Sequence, residues 1–310
     1  MRVTIAFQLK ISKVKTDGNC PIYVRVTIRG KHMELSTGLF VCPEAWSVPP
    51  GRMIAHEKWL IGSELTPDFW RTPTNNDFGN GMPVRCNVYR TAGENRELKN
   101  LEVKEEGNTV VVTADLLLKD INSDYQLIYT MNGDGSLKVA VNYKAGSDNL
   151  PDMPRFGMVV RLSGDYDQFS YYGRGPGENY NDRNSASFLG IYKSDVADQY
   201  YPYIRPQENG NKTDIRWMAL TDKDGMGLKV EGLQALSGSA LHFESADLDA
   251  GLTKKQRHAA DVHPRSDVFL HIDLEQCGVG GDNSWGAWTH KQYRLEEKAY
   301  SYSFVLKPIR

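Results

Sequence analysis

The residue types that chemistry needs collect in two places. One is a pair of glutamates in glycine- and proline-rich surroundings, Glu178 and Glu208. The other is the loop Gly278-Val279-Gly280-Gly281-Asp282-Asn283-Ser284-Trp285-Gly286-Ala287-Trp288. Glycoside hydrolysis requires two carboxylates flanking a bond, one as acid and one as nucleophile or base. Glu178 and Glu208 each precede an asparagine, and hydrogen bonds that hold a loop account for that setting as well as catalysis does. Three glycines within four residues of the second stretch predict backbone turns that a side chain would forbid. Asp282, Asn283 and Ser284 are short enough to bond back to that turning backbone. An indole exposed on such a loop can stack on the C–H face of a sugar ring while Asp282 and Asn283 take its hydroxyls. The commoner use of Trp285 and Trp288 is to fold inward and plug a core.

The elements that position these residues read as strands. Val268, Leu270, Ile272 and Leu274 alternate with Phe269, His271 and Asp273 just before the loop, and Tyr300, Tyr302, Phe304 and Leu306 alternate after it, as in half-buried strands. Thr109 to Ala114, Tyr125 to Met131, Leu137 to Tyr143, Phe156 to Leu162 and Arg216 to Leu220 are further strand candidates. Asn132-Gly133-Asp134-Gly135 is a hairpin signal, with turns at 165–167 and 222–225. One short helix is expected from Thr253 to Ala260, capped by Thr253. Many short strands separated by turns predict a large all-β, antiparallel sandwich.

Ahead of it, Val3 to Leu9 alternates, Asp17-Gly18 turns, and Ile22 to Ile28 alternates again before a third strand reaching Leu39. This small three-stranded sheet has one face expected to carry Arg25, Thr27, Arg29 and Lys31. Residues 1–50 balance at +4 and the remainder at −6, within a chain of 310 residues and net charge −2, an asymmetry that suggests two parts of different origin. Pro49-Pro50-Gly51 marks a break. The expected organisation is 1–47, a junction at 48–62, and a second domain from 63 to 310. The weak overall charge argues against bulk nucleic-acid binding. Four scattered cysteines, without CxxC, argue for free thiols and no metal site. No apolar run approaches the ~20 residues of a membrane span, and the alternating start lacks a signal core; the expected location is the cytoplasm, with no membrane partner. His258, His263, His271 and His290 show no i,i+4 metal pair, so packing or surface roles are expected of each.

The loop's Gly-Gly-Asp-x-Ser-Trp resembles the C-terminal domain of family 2 β-galactosidases. Four more stretches agree in order: Asp68 to Gly79, Gly173 to Arg183, Tyr201 to Gly210, and Thr213 to Trp217. The resemblance covers residues from about 59 to the end. It implies a galactose-mutarotase-like supersandwich in which Trp285 forms part of the sugar-binding face, with galactosides as ligands, while Trp288 remains a packing residue. It also implies that Gly79, with Asn80 and Gly81, begins a mobile loop beside the site. The family's Thr-Asp-Asn-Asp reads Thr74-Asn75-Asn76-Asp77 here, which puts inherited loop behaviour in question. The family's catalytic glutamates and magnesium ligands lie on a central barrel that precedes the matched region. The chain is therefore expected to hold no catalytic residue and no cofactor of its own, and to be inactive alone. Its expected partners are a barrel-bearing chain or another copy of itself. Glu178 and Glu208 are then assigned to holding loops. Sandwiches of this type are shared with aldose epimerases, but the sequence shows no His/Glu pair to assign, and fold alone does not give function.

A second resemblance covers about the first 47 residues. Phe7, Asp17-Gly18, Pro21 to Arg25, Gly30-Lys31, Ser36-Thr37-Gly38 and Pro43 to Trp46 are similar to the arm-type DNA-binding domain of tyrosine recombinases (integrases) from mobile elements of the Bacteroides kind. That implies weak DNA binding through Arg25, Arg29 and Lys31, since such arms set a basic sheet face against phosphates.

Overall fold

The computed structural model describes residues 63–309 apart from Ser284 and, before them, the backbones of six strands. These are β1 (Val3–Leu9), β2 (Cys20–Ile28), β3 (Lys31–Val41), β4 (Trp46–Ser47), β5 (Arg52–Ala55) and β6 (Lys58–Trp59). The first three form an antiparallel sheet in the order β1-β2-β3, as the alternation implied. Arg25 stands opposite Glu34 and Thr27 opposite His32, whereas Lys31 stands opposite Ile28. Arg29 lies outside the described residues, as do the side chains of Arg25 and Lys31.

From residue 66 the chain continues as β7 (Thr66–Asp68), the short helices α1 (Asn75–Gly79) and α2 (Met82–Arg85), then β8 (Arg96–Glu106), β9 (Thr109–Leu118), β10 (Ser123–Met131), β11 (Leu137–Lys144) and β12 (Arg155–Leu162). After them come β13 (Gln168–Gly175), β14 (Phe188–Asp195), β15 (Lys212–Thr221), β16 (Gly227–Leu241), α3 (Ser245–Leu248), β17 (Val268–Gln276) and β18 (Ala299–Ile309). The twelve strands from β7 onward make one antiparallel sheet whose main path runs β14-β13-β15-β16-β18-β11-β10-β9-β8. The sheet divides on β16. Residues Gly227–Gly232 pair with β18, whereas Ser237–Leu241 pair with β17, which continues to β12 and β7. The bend between these halves needs Gly232, where a Cβ would run into the carbonyl of Gln234. Folded over in this way, the sheet encloses one core drawn from both branches, including Phe69, Tyr125, Val139, Phe156, Ile272 and Phe304.

Every strand anticipated in this part is present, and the 132–135 turn joins β10 to β11, with Gly135 at φ +85. Two expectations change. Residues 253–260 form no α-helix; only a 3-10 turn follows at Ala259–Asp261. The run Lys254-Lys255-Gln256-Arg257-His258 has no apolar stripe to bury, and a helix that short gains its stability from packing. Second, β17 is buried on both faces along most of its length. It lies between β12 and β16, so the His271/Asp273 face meets protein instead of water.

Candidate functional site

The Trp-bearing loop leaves β17 at Cys277 and is fastened at once. Cys277 N–H donates to Pro154 O at 3.0 Å, Gly278 N–H to Tyr293 O at 2.7 Å, and Gly280 N–H to the Asp182 carboxylate at 2.7 Å. Its first three glycines serve closeness, not left-handed backbone. None of Gly278, Gly280 and Gly281 has positive φ, and only Gly286 does, at +99. A Cβ on Gly278 would strike Thr289 and Asp182, and one on Gly281 would strike the backbone of Ala287.

The stretch beginning at Asp68 supplies the other wall. Arg71 is buried and ion-paired to Asp77 at 2.7 Å, and it donates to the carbonyls of Cys277 and Gly278. Asp77 also completes a capping box with Thr74 that starts α1. Asn76 adds a bond to Val279 O at 3.2 Å. The departure at Asn75 leaves this pair untouched. Asn75 is exposed, and its Oδ1 accepts from Arg205 Nε at 3.0 Å. Gly79, Asn80 and Gly81 form the corner between α1 and α2: Gly81 takes φ +76, and Asn80 Oδ1 accepts from Met82 N–H at 3.1 Å.

On this base Trp285 stands 90% exposed. Asn283 Oδ1 accepts from Trp285 N–H at 2.8 Å, the bond back to the backbone that its side chain allows. Asp282 instead pairs with His290 Nε2 at 2.8 Å on the exterior. Trp288 is held in a different manner. The Arg85 and Arg294 guanidinium carbons lie 3.9 and 4.9 Å from its ring centroid. Neither indole plugs the core. A shallow, open recess lies beside Trp288, lined by Asn76, Asn80, Arg85, Asp152 and Arg294 among others; Trp285, Asp282 and Asn283 stand outside it.

The two glutamates are kept apart by separate tasks. Glu178 accepts from Arg183, from the Tyr203 hydroxyl and from Gly210 N–H at 2.8 Å. Glu208 accepts from Arg155 Nη2 at 3.0 Å and Gln276 Nε2 at 3.3 Å. Both hold loops.

Arg155 centres a buried cluster that alternation concealed. Its guanidinium meets Asp68 at 2.8 Å, Glu208 at 3.0 Å and Asp273 at 3.2 Å. It also lies 2.8 Å from His271 Nδ1. A guanidinium only donates, so that nitrogen accepts and the imidazole is neutral, even though Asp68 is 3.1 Å from the same atom. Burial and the adjacent Arg155 both push the His271 pKa down. Burial raises Asp68, but the Arg155 charge outweighs it and holds the carboxyl at about 2. Burial dominates at Asp273 and pushes it well above the carboxylate range. Gly157 opposite it has no room for a Cβ against the Asp273 carboxyl. His271 and Glu208 are thus the histidine and glutamate that the sequence did not bring together, both committed to Arg155. No sequence signal singled the cluster out: Arg155 opens β12, and His271 alternates with apolar neighbours as a solvent-facing residue would. Among the described residues no group of three or more His, Cys, Asp or Glu is placed to hold a metal ion, and no helix is long and apolar enough to cross a membrane.

Comparison with known proteins agrees with this layout. The family model described as beta galactosidase small chain matches residues 51–306, and one described as an arm DNA-binding domain matches residues 7–53. A β-galactosidase of Priestia megaterium is 35% identical over 251 residues, 81% of this chain and 24% of its own. One from Lactobacillus delbrueckii subsp. bulgaricus is 34% identical over 245 residues, 78% of this chain and 23% of its own. The chain therefore spans about a quarter of the length of the curated relatives it matches. A galactose 1-epimerase from Lactobacillus acidophilus aligns over the whole of both chains with a TM-score of 0.47 and 7% identity.

Proposed function

Since the chain belongs to the β-galactosidase small-chain family over residues 51–306, we propose that residues 63–310 are a carbohydrate-binding domain of a glycoside hydrolase family 2 β-galactosidase acting in the cytoplasm. In this reading Trp285 offers a stacking face to a galactoside, Asp282 and Asn283 flank it, and the Gly79–Gly81 corner borders the same site. The catalytic carboxylates belong to a barrel that lies outside residues 63–310. The observation that carries the reading is a large indole held almost fully in solvent by a loop pinned on several sides, since an unused Trp would gain ~1.5–3 kcal/mol or more by burial. The test is to add the purified chain to a β-galactosidase polypeptide lacking its matching C-terminal quarter. Hydrolysis of a chromogenic galactoside should appear only in the mixture, and Trp285→Ala should weaken it without preventing association. Steady hydrolysis by the chain alone, or none in the mixture despite association, overturns the reading.

The match of residues 7–53 to an arm DNA-binding domain favours a second reading, in which Arg25, Arg29 and Lys31 make weak, sequence-tolerant phosphate contacts. Three or four contacts would give a log–log salt slope of about −3 to −4. The negative balance of the remaining chain opposes the approach of a duplex. Anisotropy titrations of the full chain at two salt concentrations test it. Binding unchanged by Arg25→Ala/Arg29→Ala overturns it.

A further inference from the structure

The two edges of the large sheet are built differently. β8 carries seven charged residues among its eleven, Arg96, Glu97, Lys99, Glu102, Lys104, Glu105 and Glu106, the usual guard against pairing with another chain. β14, at the opposite end, reads Phe188-Leu-Gly-Ile-Tyr-Lys-Ser-Asp195, with two charges, both in its last three residues. Among the described residues it pairs only with β13. Its apolar side chains stand in solvent: Phe188 is 76% exposed, Ile191 71% and Leu189 46%. On one face Ile191 lies opposite Tyr172, itself 38% exposed, and Leu189 lies opposite Arg174. On the other face Tyr192 closes over Gly190, its ring 3.1 Å from where a Cβ would stand. An eight-residue open edge with apolar groups on both faces is a pairing surface.

We infer that β14 pairs antiparallel with β14 of a second copy of this chain about a two-fold axis through Gly190, joining two large sheets into one. That register is complementary on both faces at once. It sets Leu189 opposite Ile191 of the partner copy on one face and Phe188 opposite Tyr192 on the other, with the two Gly190 positions giving the rings room. Cross-strand aliphatic and aromatic pairs of this kind are favourable. The charge pattern agrees: Lys193 falls opposite Ser187 of the partner copy, so no like charges face each other, and Asp195 lies beyond the apolar block. An isologous contact closes at two copies, which keeps an exposed edge from propagating into fibres. The inference is independent of any carbohydrate role, since it uses neither the Trp285 loop nor its neighbours.

Sedimentation equilibrium of the full chain over a dilution series should give twice the chain mass, falling to one on dilution. Ile191→Lys places one lysine from each copy in the seam. It should weaken the dimer by more than about tenfold, roughly 1.4 kcal/mol, and leave the melting midpoint of the monomer unchanged because the residue is exposed. In an equal mixture of Leu189→Cys and Ile191→Cys chains, disulfide-linked heterodimers should outnumber the two homodimers together, which random pairing would only equal. A wild-type chain that stays monomeric at every concentration overturns the proposal. So does a dimer indifferent to Ile191→Lys, which would place the contact elsewhere. Heterodimers no more frequent than homodimers would overturn the Gly190 register.

Discussion

Gly79 and Gly286 meet backbone to backbone. A Cβ on Gly286 would lie 2.5 Å from the carbonyl oxygen of Gly79, and one on Gly79 would lie 3.2 Å from the Gly286 Cα. With Arg71 bonded to Asp77 on one side and to the carbonyls of Cys277 and Gly278 on the other, residues about 200 apart in sequence form one corner beneath Trp285. Gly286→Ala would meet both a φ of +99 and this overlap. It should cost about 2 kcal/mol or more, read by denaturant unfolding, and should shift the Trp285 emission. Gly280→Ala, whose Cβ comes only within 3.3 Å of Asp182, should cost less. Equal, negligible losses in both would mean that the two loops do not touch.

Arg155 is the sole guanidinium within ion-pair distance of three acidic groups of the core, Asp68, Glu208 and Asp273, among the described residues. Arg155→Met should destabilise the fold by ~3–5 kcal/mol at neutral pH, because it leaves buried carboxylates without a counter-charge. The sign of the pH dependence follows from Asp68. Its folded pKa, about 2, lies below its ordinary 3.8. The stability it brings is complete above 3.8 and is lost as pH falls from there through 2. The gap between wild type and variant should therefore narrow across that window. A gap that stays constant down to pH 2 would show that the charge on Asp68 is not what Arg155 serves.

Much of this was legible from sequence because β9 to β12, β15, β17 and β18 carry period-two apolar patterns or turns with one meaning, such as Asn132 to Gly135. β14 was not, since an edge strand exposed on both faces has no period to read. β13 was hidden by Gly173-Arg174-Gly175, whose glycines read as loop but are glycine for space. Gly175 is closed in by Tyr171 and Tyr192. The loop around Trp285 was found from composition, whereas its clamp was not. Arg71, Asp77 and Arg85 approach it from distant sequence, and no local pattern encodes such a meeting. The Arg155 cluster escaped for a related reason. A polar residue facing inward on a strand is indistinguishable in sequence from one facing water until the second layer is known.

Lys212 is 1% exposed, its ammonium bonded to Gly210 O at 2.9 Å. Burial, only partly countered by Glu178, lowers its pKa from 10.5 to about 8. A lowered lysine pKa means that the unfolded chain holds the proton more tightly, so stability from this group rises with pH between 8 and 10.5 and is flat below 8. The shift corresponds to about 3 kcal/mol. Lys212→Met should match or exceed wild-type stability at pH 7 and should remove that rise. The readout is the difference between wild-type and variant unfolding free energies across the window. A variant less stable at pH 7 with the rise intact would locate the titrating group elsewhere.

The two indoles make opposite predictions. Trp288 lies between two guanidiniums, each cation–π contact worth ~0.5–1 kcal/mol at such a partly exposed site, so Trp288→Ala should lower stability by about 1–2 kcal/mol and leave sugar binding nearly unchanged. Trp285 is 90% exposed and touches little, so Trp285→Ala should alter stability by less than ~0.5 kcal/mol. Galactose or lactose binding, expected near the millimolar range or about −4 kcal/mol, should fall below detection in that variant. Line broadening of the sugar's C–H resonances on titration with wild type and each variant separates the two effects. If both variants bind sugar equally well, stacking on Trp285 is not the contact. If only Trp288→Ala loses binding while remaining folded, the sugar lies instead in the recess between Arg85 and Arg294.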